Sequence, residues 1–430
     1  MKRLLLLLPL LCGCGGPGNQ PGPPAANVQP RGVAPAVPEL PIEAPAAEPQ
    51  AAPGLGFGHS GPWRLPNLAP GPLRFSPVLA DHAPTAAAVQ WLAANFADEP
   101  AAALGQRHVR ALALVALAFA SAGQGRQGED GKRSDMLSAL NQLRRCQQLE
   151  GTFCDADDKD SVLVTALAAL ALGEIDLRGK SRFLRPELSR AWGWLLAARS
   201  PGSGWGSRAG AEPDLWHTTW ALMALTYVPA EDEAAATEVA QARSDAAAFA
   251  NTVAGGPGAK LRADGWMHWE TSGPMADALW LLCCQLCGAS PREPGLAERA
   301  SRLCRAENLP DRHADSYYWL VGTLAIARAG GGHWKTWRKS LYQELWARQV
   351  GMNDAQSGPA SRKGCWEPVG QAAAPGGPLE ATALALLALR TGCPEEVDLE
   401  EWRRKAGLWY DAAPLRRPNA SEHESPAKDD

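Results

Sequence analysis

The segment D155-A-D-D158 places three carboxylates within four residues, and Lys159 and Asp160 follow it directly. Closely spaced acids of this kind can hold a cation or raise one another's pKa. The positive charge of Lys159 favours ionised carboxylates over a strong acid. The segment lacks the spaced oxygen ligands and the glycine of an EF-hand loop. From the residues alone, it is typical of a solvated acidic turn or of a weak cation site.

Further acids lie at the starts of long apolar segments, where they could face a common cavity. Asp214, Asp277 and Glu380 are candidates for the pair of carboxylates that a glycosidase would need, and Asp315 has a similar position. The aromatic candidates for the same cavity are Trp216, Trp220, Trp280, Tyr317, Tyr318 and Trp319. Aromatic rings beside acids suit sugar stacking, isoprenoid binding or an apolar core. Acids in these positions also suit the capping of helices.

Metal-ligating and nucleophilic residues form no complete motif. His217 follows Asp214 by three residues, which places both on one helix face, and Cys283 and Cys287 share another face. A zinc site would need ligands from several helices, so we predict no metal and no cofactor. Eight of the 10 cysteines lie beyond Cys14, an even number that permits disulfides without requiring them. The chain contains no G-x-S-x-G, no H-E-x-x-H and no phosphate-binding glycine loop.

The elements that position these residues are predicted from apolar residues that recur with a helical period. They form six pairs of segments. The first members are 87–96, 136–148, 188–199, 236–253, 296–305 and 334–349, and the second members are 108–120, 161–172, 215–225, 275–286, 316–327 and 379–389. First members carry charge on one face, whereas second members are apolar nearly all round, as expected of enclosed helices. The pattern predicts an all-α (α/α)6 toroid of six helical hairpins, with the second helices inside.

Several turns and helices carry a family resemblance. The turns G204-W-G206, D264-G-W266 and G364-C-W-E-P368 resemble the Gly-x-Trp ends of the repeats of squalene cyclases and prenyltransferases. The segments D214-L-W-H-T-T-W-A-L-M-A-L225, Y317-Y-W-L-V-G-T323 and G330-G-G-H-W-K-T-W337 resemble bacterial single-toroid proteins that carry this repeat. The resemblance extends over about residues 85–392, and it implies the terpenoid cyclase type of α/α toroid.

The resemblance also implies a candidate acid. D155-A-D-D158 resembles the Asp-x-Asp-Asp of squalene-hopene-type cyclases, in which the middle residue, here Asp157, protonates an isoprenoid double bond. The flanking Asp155 and Asp158 would keep that residue protonated. Lys159 and Asp160 replace the small residue and the threonine of the family pattern, and a single toroid is about half a cyclase. The Asp, Cys and His that bind zinc in protein prenyltransferases have no matching set here.

The amino terminus resembles that of an exported bacterial lipoprotein. Lys2 and Arg3 precede the apolar run 4–11, and L-C-G-C14 resembles a lipobox. Residues 1–13 are therefore predicted to be a signal peptide, and Cys14 the lipidated residue. The apolar run is shorter than the roughly 20 residues that span a bilayer. Gly15, following the anchor, favours the outer membrane by the same resemblance.

Composition predicts the remaining segments. Residues 15–54 contain 11 prolines, so 14–79 is predicted to be a disordered Pro/Ala/Gly-rich linker. The toroid is predicted at 80–410 and a disordered tail at 411–430. A formal net charge of −4 and a pI near 6.1 exclude binding to nucleic acid through a basic surface.

These observations favour a lipid-anchored module of the cell envelope that binds a ligand or partner and catalyses no reaction. Its partner would be an unidentified apolar small molecule or an envelope protein. The alternative is an isoprenoid cyclase or transferase that uses the acids at 155–158.

Overall fold

A computed structural model of the chain describes residues 72, 75, 83–96, 106–122, 132–179, 182–255, 273–352, 360–370 and 376–392. All of them belong to the unit Pro49–Asp430. Several sequence predictions lie outside the described residues: the signal peptide 1–13, the anchor Cys14, most of the linker 14–79, the turn D264-G-W266 and the tail 411–430.

The described residues form 12 α-helices, two short 3-10 helices and no strand. The α-helices are α1 (Ala83–Asn95), α2 (Gln106–Ser121), α3 (Lys132–Cys146), α4 (Ser161–Gly179), α5 (Arg185–Ala198), α6 (Leu215–Leu225), α7 (Glu233–Gly255), α8 (Pro274–Leu286), α9 (Pro294–Leu303), α10 (Ser316–Ala329), α11 (Gly331–Arg348) and α12 (Gly377–Arg390). The 3-10 helices are Ala306–Asn308 and Ala360–Arg362. The all-α prediction is confirmed, and each of the 12 periodic segments overlaps one helix. In the described ranges, no helix is long and apolar enough to cross a membrane.

Caps and prolines set where many helices begin. The side chain of Asp214 precedes α6 and accepts the backbone N–H of His217, and Asp315 precedes α10 and accepts those of Tyr317 and Tyr318. Proline stands in the first turn of α5, α8, α9 and α12, where its missing N–H costs no helical hydrogen bond. Gly330 has a φ of 69° and reverses the chain between α10 and α11. These local signals define where the helices begin.

The helices form two classes that differ in burial. All 11 residues of α6 are buried, as are the first 16 residues of α4. In contrast, α5, α9 and α11 bury only one side. Each even-numbered helix packs against the next even-numbered helix, and α12 packs against α2. Odd-numbered helices pack beside them, for example α3 on α2, α9 on α8 and α11 on α10. We call the even-numbered helices inner because they are buried nearly all round, and the odd-numbered helices outer because they keep one side exposed.

Contacts between the two ends of the described chain are polar as well as apolar. Arg390 of α12 donates to the carbonyl of Ser121 at the end of α2, with Nη2 2.6 Å from the oxygen. Phe75 is buried and forms an antiparallel bridge with Thr391. The sequence assigns Phe75 to the linker, so ordered contact with the helical core includes a residue of that segment. Phe75 is one of three aromatic residues in this Pro/Ala/Gly-rich stretch, with Phe57 and Trp63, and these residues were the available signal.

The two described Gly-x-Trp turns make equivalent contacts. The indole Nε1 of Trp205 donates to Leu195 O, at 2.6 Å, and that of Trp366 donates to Leu345 O, at 2.8 Å. Both carbonyls lie three residues before the last residue of an outer helix, and Leu345 O also accepts the backbone N–H of Gln349. The backbone N–H of each tryptophan donates to a threonine hydroxyl on the following inner helix. Each turn therefore ties an outer helix to an inner one.

Candidate functional site

His217 lies between two carboxylates at the start of α6. Its Nδ1 is 2.7 Å from Asp214 Oδ2, and because an ionised carboxylate only accepts hydrogen bonds, Nδ1 carries a proton. Its Nε2 is 3.7 Å from Asp160 Oδ1, which is the distance of an ion pair and too long for a hydrogen bond. His217 is 1% exposed. Burial lowers its pKa, but the charge of Asp214 and the carboxylate of Asp160 outweigh burial and raise the pKa to about 9.

A second group of buried polar side chains joins α2, α10 and α12. Arg110 of α2 donates through Nε to Glu380 Oε2 at 3.0 Å, and its Nη2 lies 2.9 Å from the same oxygen. The Tyr317 hydroxyl donates to Glu380 Oε1 at 2.8 Å. Arg110 is 2% exposed and Glu380 is fully buried. Burial raises the pKa of Glu380 although Arg110 and Tyr317 both oppose that change.

Asp160 links the two groups electrostatically. Its negative charge helps to raise the pKa of His217. It also helps to raise the pKa of Arg110, where burial lowers the pKa and the electrostatic effects of Tyr317 and Glu380 act in the same direction as that of Asp160. Together the side chains form one cluster at the starts of inner helices, which we call the polar cluster: Arg110, Asp160, Asp214, His217, Tyr317 and Glu380. The cluster draws residues from five of the six even-numbered helices or their caps. Asp160 is its most exposed member, at 7%.

Three aromatic rings fill the space next to the polar cluster. The rings of Trp216 and Trp220 on α6 are 5.6 Å apart, and Tyr317 of α10 lies 5.0 Å and 6.2 Å from them. All three pairs meet edge to face, the arrangement that aromatic quadrupoles favour. All three side chains are at most 1% exposed. Since α6 and α10 both flank α8, these rings bring together helices that are two steps apart in the inner layer.

Two predicted cavity residues of α8 instead face the outer helices. Asp277 accepts Arg299 and Arg302 of α9, with nitrogen to oxygen distances of 2.9 Å for both. Trp280 donates its indole N–H to Ala250 O of α7, and the Arg299 guanidinium lies 4.0 Å from the ring centroid. The cavity prediction for these two residues does not match their positions, because α8 is apolar nearly all round and its sequence leaves open which side faces inward.

The other predicted cavity residues of α10 and its cap are also engaged elsewhere. Asp315 caps the helix, and burial raises its pKa although two backbone N–H groups oppose this. Tyr318 donates to Asn308 O, and its ring meets that of Trp337 on α11. Trp319 donates to Pro310 O. Of the 11 residues predicted for the cavity, the polar cluster and its aromatic neighbours contain six: Asp214, Trp216, His217, Trp220, Tyr317 and Glu380.

The acidic turn D155-A-D-D158 lies at the surface. Asp155 and Asp157 are exposed, and Asp158 is half-buried. Burial, together with the charges of Asp155, Asp160 and Asp157, raises the pKa of Asp158. The backbone oxygen of Asp157 accepts a hydrogen bond from Arg208 at 3.3 Å. The member of this stretch that reaches the polar cluster is therefore Asp160, just beyond the motif.

Sequence reasoning left Arg110 out of the candidate site and mentioned Asp160 only as a residue that follows the acidic segment. The available signal for Arg110 was a single charge within the apolar segment 108–120, because a buried arginine requires a buried carboxylate. The polar cluster holds three carboxylates against one arginine and one imidazolium. It can stabilise positive charge, and Asp160 is its member nearest to solvent.

Metal and thiol chemistry find little support in the described ranges. There, no group of three or more His, Cys, Asp or Glu side chains is arranged to hold a metal ion. The seven described cysteines past Cys14 are free thiols. Cys146 and Cys154, which are close in sequence, therefore form no disulfide, and neither does Cys304. Burial raises the pKa of Cys154 to about 12, which makes its thiolate scarce at neutral pH. Cys393 lies outside the described residues.

No protein-family model matches this chain, and a search of curated proteins also finds no match.

Proposed function

We propose that the 12 helices form an (α/α)6 toroid of six hairpins. The support is the order of contacts, since α2, α4, α6, α8, α10 and α12 pack consecutively and α12 packs on α2. Such a circuit needs the inner helices to return on themselves. The equivalent Trp205 and Trp366 turns support a repeated hairpin, because each joins an outer helix to the next inner helix by the same hydrogen bonds.

We further propose that the toroid is exported and held in the cell envelope by lipid on Cys14. The support comes from the sequence, where two basic residues and a short apolar run precede L-C-G-C14. The linker 14–79 would then separate the toroid from the membrane. This placement decides which partners are available, namely envelope components.

The function that fits this geometry best is a binding module without catalytic activity. We place its binding face at the end at which the inner helices begin, where Asp155 and Asp157 are exposed. The observation that carries the proposal is the polar cluster itself. Five inner helices or their caps contribute to it, and its most exposed member, Asp160, lies two residues after the acidic turn. Acids on this face favour a partner that presents a basic or hydrogen-bond-donating group.

The filled interior favours an envelope protein over an apolar small molecule as the partner. Trp216, Trp220 and Tyr317 occupy the space between α6 and α10 that a long isoprenoid would need. The carboxylates of the polar cluster are engaged by Arg110, His217 and Tyr317. The cyclase alternative gains no support from an acid motif whose Asp157 is exposed to solvent.

Cross-linking mass spectrometry of the full chain in its own envelope fraction tests the proposed face. The triple variant Asp155→Asn, Asp157→Asn and Asp158→Asn removes three charges from the acidic turn. We expect cross-links from neighbouring turns to a defined envelope protein to fall at least fivefold in this variant. The matched control removes three exposed acids of α7 and its preceding loop, in Glu231→Gln, Glu233→Gln and Glu238→Gln.

Equal cross-linking in the two triple variants would contradict a binding face at the acidic turn. Native mass spectrometry of the purified chain addresses the alternative. A co-purifying apolar mass that is lost on Asp157→Asn but retained on Glu233→Gln would replace the binding module by the cyclase or transferase.

A further inference from the structure

The outer helix α11 concentrates positive charge on a chain that is otherwise acidic. Its 18 residues contain four basic side chains, Lys335, Arg338, Lys339 and Arg348, and one acid, Glu344, for a formal charge of +3. The whole chain has a formal charge of −4. Glu344 is buried and pairs with Arg348. The exposed surface of α11 is therefore basic.

The basic and aromatic residues of α11 share one face. Lys335, Lys339, Tyr342 and Trp346 follow one another at spacings of four, three and four residues, which align them along the helix. Both lysines are exposed, and both aromatic side chains are half-buried. Tyr342 packs partly against the core, and its hydroxyl donates to Leu389 O of α12. The side of the helix with Trp334, Trp337, Leu341 and Leu345 is buried against the core. We call Lys335, Lys339 and Trp346 the Lys335 face.

Neighbouring elements add no acid to the Lys335 face. Asp311 accepts the hydroxyl of Ser340, which is buried on the other side of α11. Glu298 of α9 pairs with Arg302 of its own helix. Of the helices that pack on α11, α10 contains no acidic residue and α12 contains only Glu380, which is fully buried. Within the described residues, no ion pair engages Lys335 or Lys339, so their charges face solvent.

We propose that the Lys335 face of α11 rests on an anionic phospholipid surface. A helix lying in the headgroup layer carries lysines outward toward the phosphates and aromatic rings at the level where headgroups meet acyl chains. Lys335 and Lys339 supply the charge, and the half-buried Trp346 supplies an interfacial ring. This inference does not depend on the proposed binding face, which involves the acidic turn at the starts of the inner helices. It gives the domain a defined orientation on the membrane.

Vesicle co-sedimentation of the full chain tests the proposal. The chain carries Cys14→Ser in all samples, so that no acyl group on residue 14 contributes. Vesicles of 30% phosphatidylglycerol in phosphatidylcholine are compared with vesicles of phosphatidylcholine alone. We expect Lys335→Gln with Lys339→Gln to weaken partitioning to the anionic vesicles about 30-fold at low salt, because each lysine near an anionic surface contributes roughly fivefold.

A matched control removes two exposed basic residues elsewhere, in Lys159→Gln with Arg145→Gln. The control should partition within about twofold of the parent chain, and binding to neutral vesicles should be equal in all three proteins. Equal losses in the α11 variant and the control would overturn the proposal, as would full binding by the α11 variant. Far-UV circular dichroism establishes that each variant is folded, since all four positions are exposed.

Discussion

His217 couples proton binding to folding, because it is buried between Asp214 and Asp160 where water does not reach it. Its pKa rises from an ordinary 6.5 to about 9 in the folded chain, since the two carboxylates outweigh the effect of burial. A raised pKa on a base means that the folded state holds the proton more tightly. The stabilisation is complete below pH 6.5 and is lost as the pH rises through 9.

Comparison with His217→Gln measures this effect. The difference in free energy of unfolding between the parent chain and the variant should be largest below pH 6.5. It should shrink by about 3 kcal/mol by pH 10, because a shift of one pKa unit is worth about 1.4 kcal/mol. Urea titrations at half-unit intervals from pH 6 to pH 10 provide the measurement. A difference that does not change with pH would show that the pKa of His217 is the same in the folded and unfolded chains.

At the scale of elements, the Gly-x-Trp turns depend on threonines of the inner helices. Thr218 Oγ1 accepts the buried N–H of Trp205, and Thr382 Oγ1 accepts that of Trp366. Valine has nearly the same shape but no acceptor, so the N–H would stay buried without a partner. We expect Thr218→Val and Thr382→Val each to cost about 1–3 kcal/mol in the free energy of unfolding.

Thr237→Val is the control for both threonines, because the Thr237 hydroxyl bonds to its own helix at an exposed position. It should change stability by less than about 0.5 kcal/mol. Thermal or urea unfolding compares the stabilities of the three variants. Unequal effects of Thr218→Val and Thr382→Val would indicate that the two turns are not equivalent.

The contact between α10 and α11 depends on a glycine. A Cβ on Gly322 would lie 2.5 Å from Cζ2 and Cη2 of Trp337, whose indole is fixed by a hydrogen bond to Thr323. We expect Gly322→Ala to destabilise the chain by about 1–3 kcal/mol, since neither the ring nor the helix can move freely. Gly193→Ala in α5 meets no atom within 4 Å and should stabilise by up to about 1 kcal/mol. Urea unfolding of both variants measures the two stability changes. Changes of the same sign would contradict the steric argument.

How much the sequence predicts also depends on the element. Helical periodicity predicts α6 at 215–225, its observed bounds, because Asp214 caps one end and the apolar run stops at the other. The rotation of an inner helix is not predictable in the same way. When every side of a helix is apolar, no polar side marks solvent, so Trp216 and Trp280 look alike although the second faces an outer helix. Arg110 was missed because its partner Glu380 is far along the chain.

At the scale of the whole molecule, the contacts between α2 and α12 should make unfolding cooperative. A linear array of hairpins can lose its end units one at a time, because each unit contacts only its neighbours. Here the removal of α12 would expose apolar sides of both α2 and α10. We expect urea unfolding followed by tryptophan fluorescence and by far-UV circular dichroism to give coincident midpoints. Two separated transitions would contradict a closed inner layer.

The contacts between α2 and α12 also limit how early the chain can fold during biosynthesis. Arg110 and Ser121 are made about 270 residues before Glu380 and Arg390, the residues they bind. At roughly 5–20 residues per second, the ribosome takes on the order of 15–50 s to supply those partners. Throughout that interval α2 has an uncovered apolar side and an arginine without its carboxylate. Those contacts wait until α12 emerges, so the last helix of the described residues determines when they can first form.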